Sequence, residues 1–374
     1  MSAGLDLLAA ALDASPPAFG LSEPFSPVSR ALYGRLRVPA VRAQALAGRR
    51  TLLMYYAGQG NAAAVGAFMA SARADTRGDA EQLLNASTLQ GRESALTYAV
   101  QCGHAALARN LVLSGATGQP LDSQPSALML ACSAGDEGTA AALLARGLAG
   151  INARLACSGS TPLLLASAKG HTGIVRLLLE DKQCNMEAAL PSGLTALALA
   201  CQGSHTATAL LLLERGARHI PEAMLEACRG RHLELVCQLL QHGVSASAGS
   251  RLDNLTPLMV ACQSRNEALA QLLLKGGASV SACKADTGLT ALMLAVIHGA
   301  TSTAELLLRQ GAPVDATTHN RAGRMTALMW AKSAHSKAMC ALLLRYRASE
   351  EAKDALGRVA QDYYEGKAVP IVKW

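Results

Sequence analysis

The chain has 374 residues, 51% of them hydrophobic but only 3% aromatic, and a formal net charge of +7. Its apolar material is mostly Ala and Leu, enough for a sizeable core and suited to packed helices rather than sheets. The most apolar window, 195–213, carries Gln202, Ser204 and His205 in its middle, so no membrane span is expected.

From the N-terminus, residues 1–29 combine an apolar stretch at 5–14 with Pro16, Pro17, Pro24 and Pro27. Asp6 and Asp13 and the lack of a basic n-region speak against a secretory signal or transit peptide. Residues 30–50 form a basic segment with Arg30, Arg35, Arg37, Arg42, Arg49 and Arg50. It suits the solvated face of a helical cap, or alternatively a patch for nucleic acid or an acidic partner. Sparse aromatics count against stacking on single strands, so nucleic acid is the less favoured partner.

Next comes "TLLMYYAGQGNAAAVGAFM" at 51–69, in which Gly58, Gly60 and Ala63 fit the G-x-G-x-x-A of a dinucleotide-binding turn. That fold needs a β-branched strand soon after, and residues 70–87 offer none. A repeat explains the glycines instead. Segments starting at Thr51, Ser94, Ser126, Thr161, Thr195, Glu222, Thr256, Thr290 and Thr326 are spaced 43, 32, 35, 34, 27, 34, 34 and 36 residues apart. Two places in stands Leu or Met. Five places in stand Ala99, Ala131, Ala166, Ala200, Ala227, Ala261, Ala295 and Ala331, with Tyr56 the exception. Apolar pairs such as Leu178-Leu179 and Leu273-Leu274 follow at a fixed distance. Gly60-Asn61 occupies the slot of Gly103-His104 and Gly170-His171, a turn between two helices.

The unit "TPLLLASAKGHTGIVRLLLED" (161–181) and Thr256-Pro257-Leu258-Met259-Val260-Ala261 resemble the ankyrin repeat and its T-P-L-H-x-A signature. The resemblance covers residues 51–364, closing with a partial unit at 354–364 and leaving 365–374 as a tail. It implies a mainly α solenoid of helix-turn-helix units with short β-hairpin fingers, preceded by the helical cap.

Three departures from the family pattern carry expectations. Its His is replaced by Met54, Thr97, Met129, Leu164, Ala198, Leu225, Met259, Met293 and Met329, so a column packed by soft side chains is expected in place of a polar network. Ser204, Arg231, Arg265 and His335 replace the turn glycine, and their repeats should open more readily than the one at 161–187. The 27-residue interval leaves no room for a full finger, so Pro221 should start its helix directly, while an insertion holding Asp75, Arg77 and Asp79 lengthens the first interval.

The ten cysteines include no C-x-x-C, and Cys132, Cys201, Cys228 and Cys262 share a slot suited to small buried thiols. His104, His171, His205 and His232 share a turn slot in separate repeats, too dispersed to converge on a metal. No metal, cofactor or catalytic residue is therefore expected. The resemblance implies a non-enzymatic scaffold or adaptor, a monomer in the cytoplasm or alternatively the nucleus, that binds a protein through the first-helix and finger surface. Carried over by slot, that surface comprises Gln101, Lys169, Gln202, Arg229, Gln263 and His298 on the helices and Ser192, Leu194, Asp253, Leu255, Asp286, Leu289 and Met325 on the fingers. Leu194, Leu255, Leu289 and Met325 recur immediately before a repeat start, either as an exposed apolar ridge or packed between fingers.

Overall fold

The computed structural model describes residues 52–66, 69, 84–85, 94–117, 125–147, 150–218, 220–319 and 323–365. The N-terminal segment, the basic cap at 30–50, the insertion around Asp75 and the tail beyond Glu365 lie outside the described residues. The chain divides between Gly193 and Leu194 into two compact units.

The first unit contains α1 (Leu52–Gly58), α2 (Ala95–Gln101), α3 (Ala105–Leu113), α4 (Ala127–Ala134), α5 (Glu137–Ala145), α6 (Pro162–Lys169) and α7 (Thr172–Glu180). Helix α1 packs on α2, α2 on α4 and α4 on α6, while α3, α5 and α7 pack in order as a second layer. The second unit contains α8 (Ala196–Gln202), α9 (Thr206–Glu214), α10 (Ile220–Arg229), α11 (Leu233–Gln241), α12 (Pro257–Gln263), α13 (Glu267–Lys275), α14 (Ala291–Ile297), α15 (Thr301–Arg309), α16 (Ala327–Ser333), α17 (Lys337–Arg345) and α18 (Ala360–Tyr364). There α8, α10, α12, α14, α16 and α18 form one layer and α9, α11, α13, α15 and α17 the other. A helix pair buries its apolar stripe only against its neighbours.

Local chemistry fixes where these helices begin. Ser94, Ser126, Thr161, Thr195, Thr256, Thr290 and Thr326 each cap a first helix by accepting the backbone N–H three residues on. The column that lacks the family's His is buried throughout. In two repeats its Met sulfur accepts the capping residue's own N–H, Thr256 to Met259 Sδ at 3.5 Å and Thr326 to Met329 Sδ at 3.4 Å. All eight alanines five places in are 0% exposed, which lets adjacent first helices approach closely. Pro221 is the second residue of α10, so the short interval is bridged without a finger.

The fingers differ from the hairpins expected. Among the described residues none forms a strand; the finger at 283–290 holds an isolated antiparallel bridge between Cys283 and Thr290. Such a finger is little more than a turn, so its ladder stops almost at once. Its other backbone groups bond to neighbouring fingers instead, Ala285 N–H to Asp253 O at 2.9 Å and His319 N–H to Thr287 O at 3.0 Å. Loop side chains tie repeats together in a similar way. Asn152 Oδ1 accepts Asn185 N–H at 2.8 Å, Ser247 Oγ accepts Ser279 N–H at 2.9 Å and Asp315 Oδ1 accepts Ser349 N–H at 2.8 Å.

The turn glycines adopt the left-handed backbone. Gly60 has φ 70°, and a Cβ there would also sit 2.6 Å from the ring of His104, whose Nε2 lies 3.0 Å from Gly58 O. Backbone conformation and the close approach of the next repeat's His both demand glycine, so no cofactor is needed to explain G-x-G-x-x-A. Ser204, Arg231, Arg265 and His335 take the same left-handed conformation at φ 59°, 60°, 53° and 50°, at a cost of roughly 1 kcal/mol each.

The C-terminal unit closes on one buried carboxylate. Asp354 accepts the backbone N–H groups of Leu356 and Arg358 at 2.8 Å, Arg358 Nε at 2.7 Å and the Tyr363 hydroxyl at 2.7 Å. Burial would raise its pKa, but these donors, led by Tyr363 and Arg358, outweigh it and hold the group at about 2. Burial and the bond to this carboxylate push Tyr363 up to about 12.

Two outcomes follow. Ser204→Gly should stabilise the chain by roughly 0.5–1 kcal/mol and slow amide exchange in α9, whereas Gly135→Ala, at φ 81° and with its new Cβ 2.7 Å from the His171 ring, should cost about 1–2 kcal/mol, both read by denaturant midpoints. Because the folded pKa of Asp354 is depressed, its contribution is complete above the unfolded value near 3.8 and fades as pH falls to about 2. Acid titration of wild type against Asp354→Asn should therefore show a component of roughly 2 kcal/mol in that window that the variant lacks.

Candidate protein-binding face

The first helices turn one side into the core and leave the last residues before the turn in solvent. In the first unit this exposes Gln101 at the end of α2 and Lys169 at the end of α6. Ser192 is exposed on a finger; on the preceding finger Ser158 Oγ donates to Ser160 Oγ at 2.8 Å. In the second unit the ends of the first helices expose Gln202, Arg229 and Gln263 on α8, α10 and α12 and His298 just past the end of α14. The two sets belong to separate units and are taken separately.

Several of these side chains are already engaged. Arg229 Nη1 lies 2.5 Å from Glu226 Oε1, a buried carboxylate that needs this counter-charge. Asp253 accepts from the Ser250 hydroxyl and from Leu255 N–H, and the Lys284 ammonium lies 3.1 Å away. Burial opposes ionisation of Asp253, but the Ser250 and Lys284 bonds win and lower its pKa. Lys284 also reaches Asp286 at 3.5 Å, so one lysine neutralises the acids of two fingers.

The pre-repeat apolar column does not form an exposed ridge in the second unit. Leu255, Leu289 and Met325 are 9%, 1% and 0% exposed, and Leu194 is half-buried. The reason is the turn itself. Leu289 O accepts Lys284 N–H at 2.9 Å and Met325 O accepts Thr318 N–H at 3.0 Å, closing each finger over the side chain that follows it. At the fingertips it is Leu252, at 97%, and Leu356, at 67%, that are exposed instead. Sequence reasoning missed both; their one signal was a lone Leu amid turn residues.

The four slot-sharing cysteines, Cys132, Cys201, Cys228 and Cys262, are free and 0% exposed, whereas Cys102 and Cys157 are free and exposed. Burial pushes the Cys201, Cys228 and Cys262 thiols up to about 12 and raises Cys132 as well, which keeps them protonated and packing as small apolar groups. His104, His171, His205 and His232 each occupy the N-cap position of a second helix. His232 Nε2 lies 3.2 Å from Gln202 O of the preceding repeat. Among the described residues no three His, Cys, Asp or Glu side chains gather to hold a metal, and no helix is long and apolar enough to cross a membrane.

Stacked helix pairs begun by capping Thr or Ser residues, with polar side chains exposed at several first-helix ends, define a helical-repeat protein. The chain belongs to the ankyrin-repeat family: the family model for ankyrin repeats (3 copies) matches residues 96–189, 128–222, 220–283 and 277–354. No curated protein gives a significant match to the chain.

Leu289→Asp should destabilise the second unit by about 3 kcal/mol or more, because it puts an unpaired charge into a closed site. Leu252→Asp should stay within about 0.5 kcal/mol of wild type, as surface changes do. Denaturant unfolding of the two variants checks both.

Proposed function

We propose that this ankyrin-repeat chain is a non-enzymatic scaffold or adaptor, monomeric and acting in the cytoplasm or nucleus, that binds a partner protein through its first-helix and finger surface. The observation behind it is the recurrence of exposed polar side chains at the C-terminal ends of the first helices, Gln101 and Lys169 in the first unit and Gln202, Gln263 and His298 in the second, on helices whose other side is buried. Ankyrin repeats are in general protein-interaction modules, and these side chains stand at helix ends with no side-chain hydrogen bond or ion pair among the described residues. Arg229, Asp253 and Asp286 join the surface with their charges already matched. Leu255, Leu289 and Met325 contribute by holding the fingers rather than by touching a partner. Ser192 and Leu194 complete the candidate set, each within its own unit.

Affinity purification of the chain beside a Lys169→Glu/Gln263→Glu/His298→Glu variant, at low and high salt, tests the proposal. All three positions are exposed, so the variant should keep its helix content. The expected result is a protein partner that survives high salt and is reduced at least about tenfold by the variant. Partners that both forms hold, and that wash off with salt and nuclease, would instead place binding in the basic segment Arg30–Arg50 and overturn it.

A further inference from the structure

On the finger edge of the second unit Arg251 lies 3.9 Å from Glu222 and Lys284 bridges Asp253 and Asp286, while Arg324 is exposed with no ion pair among the described residues. On the turn edge, Arg231 and Arg265 have no carboxylate within ion-pair distance among the described residues. The nearby acids are turned elsewhere. Glu234 Oε1 accepts Gln238 Nε2 at 3.1 Å and Glu267 Oε1 accepts Gln271 Nε2 at 3.0 Å, each one turn further along the second helix, and Glu226 is matched by Arg229.

Both arginines are exposed and hold a left-handed backbone, in the slot where Gly299 stands at φ 69° one repeat later. Of the seven described non-glycine residues with positive φ, four are arginines, so strain coincides with cationic side chains. Each guanidinium is also aimed. Arg231 Nη2 donates to Ser264 O at 3.2 Å, beside Arg265 in the chain, and Arg265 Nη2 lies 3.5 Å from Gly299 O, beside the exposed His298. These are long, solvent-exposed bonds that contribute little stability, and they leave most of the five N–H donors of each guanidinium free. They direct two cations along one edge, one repeat apart, with the exposed His298 beside the carbonyl that Arg265 reaches.

That spacing selects a ligand. Neighbouring helices pack about 8–10 Å apart, so the two guanidiniums follow one another at that interval. An extended polyproline-II chain rises about 3.1 Å per residue with three residues per turn, so side chains three apart point the same way at about 9 Å. A β-strand fits worse, because residues three apart face opposite sides. We propose that the Arg231–Arg265 turn edge, ending at His298, binds an extended acidic segment of a partner protein with carboxylates at every third residue. This rests on the protein-binding reading of the chain and assigns the partner's chemistry.

The test is fluorescence anisotropy of labelled synthetic peptides titrated with the full chain. One peptide carries Glu at every third position in a Pro/Ala background, and the other has the same composition with its Glu residues clustered. The Arg231→Gly/Arg265→Gly variant removes the cations while suiting the left-handed turns, so loss of fold does not confound it; circular dichroism verifies this. The every-third peptide should bind at least about tenfold more tightly than the clustered one, and the variant should lose at least about tenfold of that affinity. Equal binding of the two peptides, undiminished binding by the variant, or equal competition by a single-stranded oligonucleotide of matched charge would each overturn the proposal. A partner captured through Lys169, Gln263 and His298 that binds the double-glycine variant normally would do so too, while leaving the protein-binding reading intact.

Discussion

Everything in this chain depends on one packing constraint: a single helix pair cannot cover its own apolar stripe. Each first helix therefore needs another against its alanine face, and eight alanines at 0% exposure mark how closely the backbones meet. Close approach in turn dictates the cap. Thr or Ser begins the helix by closing on the backbone three residues on, which keeps polar groups satisfied where no water reaches. The buried Met column extends the same economy, since a soft sulfur fills the space beneath the cap and in two repeats accepts its N–H.

The inter-helix turn is where packing and function pull apart. Glycine suits the left-handed conformation, and at Gly60 it also leaves room for His104 of the next repeat. Where Ser204, Arg231, Arg265 or His335 stands instead, the backbone is unchanged and the strain is accepted. In two of those repeats the side chain reaches the carbonyl of the following turn, so a residue that weakens its own turn joins it to the next. At the far end the problem is solved differently, with Asp354, Arg358 and Tyr363 closing the C-terminal unit around a single carboxylate.

Much of this was legible from the sequence because periodicity reports nearest-neighbour packing. The Leu and Ala columns, the capping Thr residues, the left-handed turn slot, Pro221 at the start of α10 and the buried thiols at Cys132, Cys201, Cys228 and Cys262 are all local consequences of a repeated unit. What the columns do not encode is which way a finger closes. Leu255, Leu289 and Met325 look like a ridge when aligned, yet backbone bonds across each finger fold them inward and leave Leu252 and Leu356 outside. Nor does a column disclose pairing between repeats. Lys284 paired with Asp253 of the preceding finger and the reach of Arg231 to Ser264 both join residues that only the stack brings together.

The functional account places partner binding on the first-helix and finger side of the repeats, not on the second helices. Hydrogen exchange of the free chain against its complex with the captured partner tests that placement most directly, because it reads every repeat without altering a residue. The account predicts slowed exchange at the ends of the first helices and in the fingers, around Lys169, Gln202, Gln263 and His298, with α9, α11, α13 and α15 unchanged. Protection confined to those second helices, or to the basic segment before residue 51, would contradict it.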